Sequence, residues 1–73
     1  MNKKWYVYIV KCNDDTLYTG ITVDLERRIF EHNNDNIKGS KYSRYKRPVE
    51  LVFYEIYSSQ SEARKREAAI KKW

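Results

Sequence analysis

The chain has 73 residues and a formal net charge of +5, with 15 Lys and Arg against 10 Asp and Glu. A chain of this length is expected to form one small domain, residues 1–73, which buries only about 60% of its unfolded surface and so needs a compact core. A single cysteine, Cys12, excludes an internal disulfide, and no Cys/His spacing indicates a structural zinc site.

The N-terminal residues do not resemble a targeting segment. The stretch after the first lysines is too short and too aromatic for a secretory signal, and no segment approaches the length of a membrane span. A single thiol is also typical of a reducing compartment. We therefore expect a cytoplasmic protein with no membrane partner, whose oligomeric state the sequence does not indicate.

The first third of the chain has the pattern of a β-hairpin. Residues 5–12 are β-branched and aromatic without a helix breaker, which is typical of a strand. Residues 13–16 are short and polar, as in a turn, and residues 17–22 read as a second strand. An antiparallel hairpin would place Tyr8 and Tyr18 on neighbouring strands. Gly20 within the second strand predicts a close backbone approach and space beside Tyr18.

A short helix follows, with polar residues on its inward face. Thr22 or Asp24 can cap it, and it is predicted to end at about His32 or Asn33. One face, at positions i, i+3, i+4 and i+7, consists of Leu25, Arg28, Ile29 and His32. A cation and the only histidine of the chain thus share an otherwise apolar stripe, which predicts a functional site. The alternative is that both are ordinary surface residues with wet polar ends.

The segment before the third strand is basic. Between residues 36 and 49 there is no acid, and cations alternate with tyrosines. Phosphates attract such cations, and bases or sugars pack on the rings. The predicted nucleic-acid contacts are Lys38, Lys41, Tyr42, Arg44, Tyr45, Lys46 and Arg47. A solvated loop, part of which can form a short helix, is the alternative for this stretch.

The last part of the chain is predicted to be a strand followed by a helix. Residues 49–57 are almost continuously apolar, which favours a central strand covered on both faces. Ser59 and Glu62 have the spacing of a capping box, so the helix should begin at about Gln60. Glu67 interrupts the apolar stripe of this helix, where a carboxylate needs a cation or a metal ion as partner. A buried Arg28–Glu67 ion pair with no chemical role is the structural alternative.

Several of these segments together resemble the GIY-YIG endonuclease superfamily, in particular its small single-domain bacterial members. Tyr6-Val7-Tyr8 resembles the first motif, and Tyr18-Thr19-Gly20 begins ten residues after Tyr8 and resembles the second. Residues 24–28 with His32, and then residues 66–70, complete the order of motifs over nearly the whole chain.

The resemblance implies an α+β fold of order β-β-α-β-α, with a three-stranded antiparallel sheet flanked by helices. It also implies a divalent-metal-dependent endonuclease that hydrolyses DNA, using Mg²⁺ or Mn²⁺. By position, Tyr8 and Tyr18 match the two motif tyrosines, Arg28 the helix arginine, His32 the histidine one turn later, and Glu67 the metal-binding glutamate. Either tyrosine can act as the base, because neighbouring cations favour a phenolate.

The sequence departs from the family pattern at three places. Tyr6 stands where the first motif has Gly, and Thr19 stands where the second has Ile. Many family nucleases also carry an asparagine shortly after the last helix, whereas this sequence ends at Trp73. We therefore keep two alternatives to a structure-directed or nonspecific nuclease. One is a noncatalytic nucleic-acid-binding module on the same fold, and the other is a protein-interaction domain.

Overall fold

The computed structural model describes residues 4–34 and 47–72. Its element order is the predicted one, strand, strand, helix, strand, helix. The elements are β1 (Trp5–Lys11), β2 (Leu17–Thr22), α1 (Leu25–Asn34), β3 (Glu50–Tyr57) and α2 (Gln60–Lys71). The predicted α+β class, a three-stranded antiparallel sheet flanked by helices, is thereby confirmed.

The β1–β2 hairpin is closed by the side chains of its turn. The Asp14 carboxylate accepts hydrogen bonds from the Thr16 backbone N–H at 3.1 Å and from the Thr16 hydroxyl at 2.6 Å. Asp15 is in the left-handed region with φ 68°, a conformation that Asp tolerates better than most residues. The resulting register places Tyr8 opposite Gly20 and Val10 opposite Tyr18.

The strand order is β2-β1-β3, so β1 is the central strand. The prediction that β3 is a central strand covered on both faces is wrong. Within the described ranges β3 pairs with β1 alone, and the side chains of Val52, Phe53, Tyr54 and Ile56 are exposed. A continuous apolar run shows that a segment is hydrophobic, but it does not show where the strand lies in the sheet. That position depends on which neighbouring strands pair with it.

Both helices begin at side-chain caps. The Asp24 carboxylate accepts the Arg27 backbone N–H at 3.1 Å, and the Thr22 hydroxyl in turn accepts the Asp24 N–H at 3.2 Å. Ser59 accepts the Glu62 N–H at 3.2 Å and donates its hydroxyl to the Glu62 carboxylate at 3.1 Å. The predicted Ser59 cap is therefore present, with Glu62 bonded to the Ser59 hydroxyl rather than to its backbone N–H, and α2 begins at Gln60 as expected.

The core lies where α1 meets the sheet. Tyr8, Val10, Cys12 and Val49 form a buried cluster, against which α1 packs the side chains of its inward face. α2 packs on all three strands, with Ala63 fully buried. Neither described helix is long and apolar enough to cross a membrane.

Candidate active site

Two of the predicted residues form a buried hydrogen bond. Tyr8 of β1 and His32 of α1 are 1% and 0% exposed, and the Tyr8 hydroxyl lies 2.9 Å from His32 Nε2. Their rings meet edge to face, with centroids 5.9 Å apart. α1 supplies the histidine because its inward stripe faces the central strand. The polar stripe of the sequence therefore does meet the first-motif tyrosine.

Tyr18 and Gly20 complete the β2 side of this cluster. The Tyr18 ring lies 5.3 Å from the His32 ring and 6.5 Å from the Tyr8 ring, centroid to centroid. A Cβ added at Gly20 would lie 2.6 Å from the Tyr8 hydroxyl oxygen and 2.8 Å from its Cζ. The predicted close approach at Gly20 is confirmed, but the space that glycine provides is filled by Tyr8 rather than lying free beside Tyr18.

Arg28 lies at the edge of the same cluster. Its Nε donates to the Tyr8 hydroxyl at 3.4 Å, and its Nη1 donates to the Glu31 carboxylate at 3.2 Å. Since Arg28 only donates, the phenolic proton of Tyr8 can point at His32 Nε2, which accepts it when the neutral ring carries its own proton on Nδ1. The three side chains then form one chain of hydrogen bonds.

Glu31 is a site residue that the sequence did not reveal. Its side chain is only 15% exposed and pairs with both Arg27, at 3.8 Å, and Arg28, at 3.2 Å. The available signal was its position three residues after Arg28, a spacing at which side chains on one helix meet.

Burial decides the ionisation of the hydrogen-bonded pair. It raises the pKa of Tyr8 to about 12, although the hydrogen bond and the charge of Arg28 act in the opposite direction. Burial, followed by the repulsion from Arg28, lowers the pKa of His32 to about 4. At neutral pH the pair is therefore an uncharged phenol and an uncharged imidazole. The hydrogen bond and charge of Arg28 lower the pKa of Tyr8 in the expected direction, but desolvation outweighs them and keeps the phenol protonated.

Glu67 approaches the site from α2. Its charge is close enough to contribute to the raised pKa of Tyr8, and its side chain is 22% exposed. Its ion pair is with Lys71, at 3.1 Å on the same helix, while Arg28 pairs with Glu31. The structure thus replaces the alternative of a buried Arg28–Glu67 pair with two separate pairs.

The donor set around Glu67 suits an ion that needs few protein ligands. Among residues 4–34 and 47–72, no group of three or more His, Cys, Asp or Glu side chains could enclose a metal ion. Mg²⁺ keeps several waters and is commonly bound by one or two carboxylates together with substrate oxygens. A single, partly exposed carboxylate whose charge reaches Tyr8 fits that mode of binding, and it does not fit a closed structural metal site.

Of the predicted nucleic-acid contacts, only Arg47 lies in the described part of the chain. Its Nε donates to the backbone carbonyl of His32 at 2.9 Å. Arg47 therefore supports the end of α1 in addition to carrying positive charge. The other six residues lie outside the described residues, namely Lys38, Lys41, Tyr42, Arg44, Tyr45 and Lys46.

Solved structures with similar folds are known. A solution NMR structure of the protein EF2693 from E. faecalis is similar with a TM-score of 0.65 and 43% sequence identity, covering 100% of this chain and 78% of that one. The NMR structure of the UPF0213 protein BH0048 from Bacillus halodurans has a TM-score of 0.58 and 40% identity, covering 96% of this chain and 72% of that one.

Sequence relatives carry the same UPF0213 name. A UPF0213 protein of Staphylococcus epidermidis is 56% identical over 68 residues, which is 93% of this chain and 80% of the relative. One from Desulfotalea psychrophila is 58% identical over 67 residues, which is 92% of this chain and 60% of the relative. The family described as GIY-YIG catalytic domain matches residues 4–73. This chain therefore belongs to the GIY-YIG catalytic domain family.

Proposed function

We propose that this protein is a divalent-metal-dependent endonuclease that hydrolyses DNA phosphodiester bonds. The observation that carries the proposal is the convergence of four elements on one cluster. β1 supplies Tyr8, β2 supplies Tyr18, α1 supplies Arg28 and His32, and α2 brings the charge of Glu67 to Tyr8. Membership of a catalytic-domain family supports the same chemistry.

Arg28 is the proposed phosphate-binding residue. A planar guanidinium matches the geometry of phosphate oxygens better than a lysine does. In the free protein its Nη1 is engaged by the Glu31 carboxylate, which is also an anion. A nonbridging phosphate oxygen would therefore take up part of the position that Glu31 holds. Positive charge fixed at that point stabilises the charge that builds on the phosphoryl oxygens during hydrolysis.

The difference in exposure between the two tyrosines separates their proposed roles. Tyr8 is 1% exposed, so its hydroxyl does not meet solvent, whereas Tyr18 is partly exposed. We assign Tyr18 to orienting the attacking water and, once its own phenolic proton has been released to solvent, to accepting the proton of that water. Tyr8 and His32 then form the uncharged support that holds Arg28 and the Tyr18 ring in place. This assignment favours Tyr18 where the sequence left both tyrosines open.

Glu67 is the residue that would hold Mg²⁺ or Mn²⁺. A divalent ion there would supply positive charge that neutralises phosphoryl oxygens and favours ionised oxygen nucleophiles. To bind it, the Glu67 carboxylate would exchange Lys71, 3.1 Å away, for the ion. The Lys71 side chain is 53% exposed, so it can turn toward solvent or a phosphate.

The basic segment supports a nucleic acid as the polymer that is bound, and DNA is proposed from the family resemblance. Five of its seven proposed contacts are Lys or Arg, and backbone contacts of this kind hold a duplex without reading its sequence. We therefore propose structure-directed or nonspecific cleavage.

A cleavage assay with two neighbouring arginines tests the proposal. The protein is incubated with plasmid, branched and single-stranded DNA in the presence of Mg²⁺ or Mn²⁺. Arg28→Ala and Glu67→Gln should each reduce cleavage by about 10²-fold or more. Arg27→Ala removes the same charge from an exposed position one residue away, where the side chain is 66% exposed, and should change the rate little. Cleavage that survives both site substitutions would reject the site assignment.

The same protein samples test the noncatalytic alternative. The observation that bears on it is the raised pKa of Tyr8, which keeps this phenol protonated in the free protein and leaves Tyr18 as the one motif tyrosine proposed as the base. A binding module would bind DNA with an affinity that falls steeply with salt, and it would give no product with either metal ion at any enzyme concentration. Metal-dependent product that Glu67→Gln abolishes would instead exclude it.

A further inference from the structure

The last turn of α1 is tied to the residue that precedes β3. The Asn33 side chain accepts the Val49 backbone N–H at 2.7 Å through Oδ1 and donates to the Val49 backbone carbonyl at 3.2 Å through Nδ2. One carboxamide thus satisfies both polar groups of a single buried residue. Asn33 comes directly after His32 in the chain, so this contact holds the backbone next to the histidine.

A second hydrogen bond holds the histidine backbone itself. The Arg47 Nε donates to the His32 carbonyl oxygen at 2.9 Å. This carbonyl lies near the end of the described helix, two residues before Asn34. Arg47 therefore binds the backbone of His32, and Asn33, the next residue of α1, binds the backbone of Val49. Both contacts join α1 to the segment just before β3.

The residue that Asn33 binds is itself part of the site's packing. Val49 is 5% exposed and belongs to the same buried cluster as Tyr8, Val10 and Cys12. The path from His32 through Asn33 and Val49 thus returns to Tyr8, whose hydroxyl is 2.9 Å from the His32 ring. Backbone and side-chain contacts thus link Tyr8 and His32 by a second route, in addition to their direct hydrogen bond.

We propose that Asn33 and Arg47 are positioning residues that hold the His32 imidazole against the Tyr8 hydroxyl and keep water away from it. The catalytic consequence of this arrangement rests on the proposed nuclease function, whereas the arrangement itself does not. When the two contacts are removed, the hydrogen bonds that Asn33 and Arg47 form between α1 and the segment before β3 are lost, and water reaches the ring.

The titratable and charged groups that face His32, together with its burial, determine its pKa. Tyr8 faces it from β1 and Tyr18 from β2. On α1, Arg28 lowers its pKa and Glu31 raises it, while burial is the largest cause of its low pKa. Loss of burial alone therefore moves the pKa upward, toward that of an exposed histidine.

Two neighbouring asparagines give a matched comparison. Asn34 carries the same side chain one residue later, but its Nδ2 donates to the Phe30 carbonyl within α1 at 3.0 Å. NMR titration of His32, the only histidine in the chain, should give a pKa near the wild-type value in Asn34→Ala. In Asn33→Ala the pKa should rise by about 1 or more. Arg47→Met keeps the length and apolar stem but removes the donor, and should raise the pKa as well.

Each outcome decides a separate question. An unchanged His32 pKa in folded Asn33→Ala and Arg47→Met would overturn the positioning role, and so would an equal rise in Asn34→Ala. Where DNA is cleaved, Asn33→Ala should lower kcat more than it changes KM, with Asn34→Ala close to wild type. Because the titration uses no DNA or metal, failure of the nuclease assay leaves it interpretable, and failure of the titration leaves the nuclease assay intact.

Discussion

The ionisation of single side chains in this site follows from where they are buried. Tyr8 and His32 satisfy each other's polar atoms in a place that excludes water, so both remain uncharged at neutral pH. Arg28 meets them from the edge, where part of its guanidinium stays wet. Because the Tyr8–His32 pair is uncharged, it can orient the Arg28 guanidinium without neutralising its positive charge.

Stability should therefore depend on pH through His32. Its pKa is about 4 in the folded protein and 6.5 when unperturbed. Below pH 6.5 the unfolded chain binds a proton that the folded protein does not, so the stabilising contribution is complete above pH 6.5 and is lost as the pH falls toward 4. From pH 7.5 to pH 5.0 we expect the free energy of unfolding to fall by about 2 kcal/mol, measured by urea denaturation.

His32→Gln serves as the comparison for this pH dependence. The variant is less stable, but its free energy of unfolding should change much less between the same two pH values, since no group at position 32 titrates. An equal slope in both proteins would show that His32 is not buried as an uncharged ring.

At the level of single elements, α1 and α2 are held by their ends. α1 has the apolar side chains Leu25 and Ile29 on the core cluster, and hydrogen bonds from Asn33 and Arg47 tie its C-terminal turn to the start of β3. α2 begins at the Ser59 cap and carries Glu67 two turns later. His32 lies in the part of α1 that Asn33 and Arg47 hold, and Glu67 lies two turns after the capped start of α2. The contacts at the helix ends therefore help to set the positions of both side chains.

The Ser59 cap predicts a specific loss of stability. Ser59→Ala leaves the Glu62 N–H without its side-chain acceptor, now 3.2 Å away, and should lower the free energy of unfolding by about 1 kcal/mol. Ser61→Ala changes the same residue type inside the helix, where the side chain is exposed, and should have an effect within about 0.5 kcal/mol. Thermal unfolding followed by circular dichroism measures both. Equal losses would mean that Ser59 contributes nothing as a cap.

At the scale of the whole molecule, the sheet is covered unevenly. Between α1 and the edge strand β3 lies a groove of about 740 Å³, lined mainly by apolar and aromatic side chains such as Tyr6, Ile29 and Tyr54. Ile56 at its margin is 49% exposed. An unpaired strand edge with exposed apolar side chains is a surface that favours association.

This surface predicts weak self-association that a charge can suppress. Sedimentation velocity over a range of protein concentrations should show association of the wild type, and Ile56→Lys should reduce it with little change in stability. Ser61→Lys adds the same charge at an exposed position of α2 and should not reduce association. A wild-type sedimentation coefficient that is independent of concentration would contradict the prediction.

Patterns that act over a few residues were readable from the sequence. The β-branched and aromatic run of residues 5–12 and the short polar turn predict the hairpin, and the Ser59–Glu62 spacing predicts a start of α2 at about Gln60, where the helix begins. The interrupted stripes of α1 and α2 also singled out Arg28, His32 and Glu67, because a polar residue on an apolar face is conspicuous without coordinates.

Only the tertiary structure decided how these elements meet. It placed β3 at the edge of the sheet, because strand order depends on pairing between segments distant in sequence. It also set the pKa of Tyr8 and His32, since burial from all sides outweighs the single cation that the sequence places nearby. The Asn33–Val49 and Arg47–His32 contacts join residues 16 and 15 positions apart, and no local pattern records such a distance.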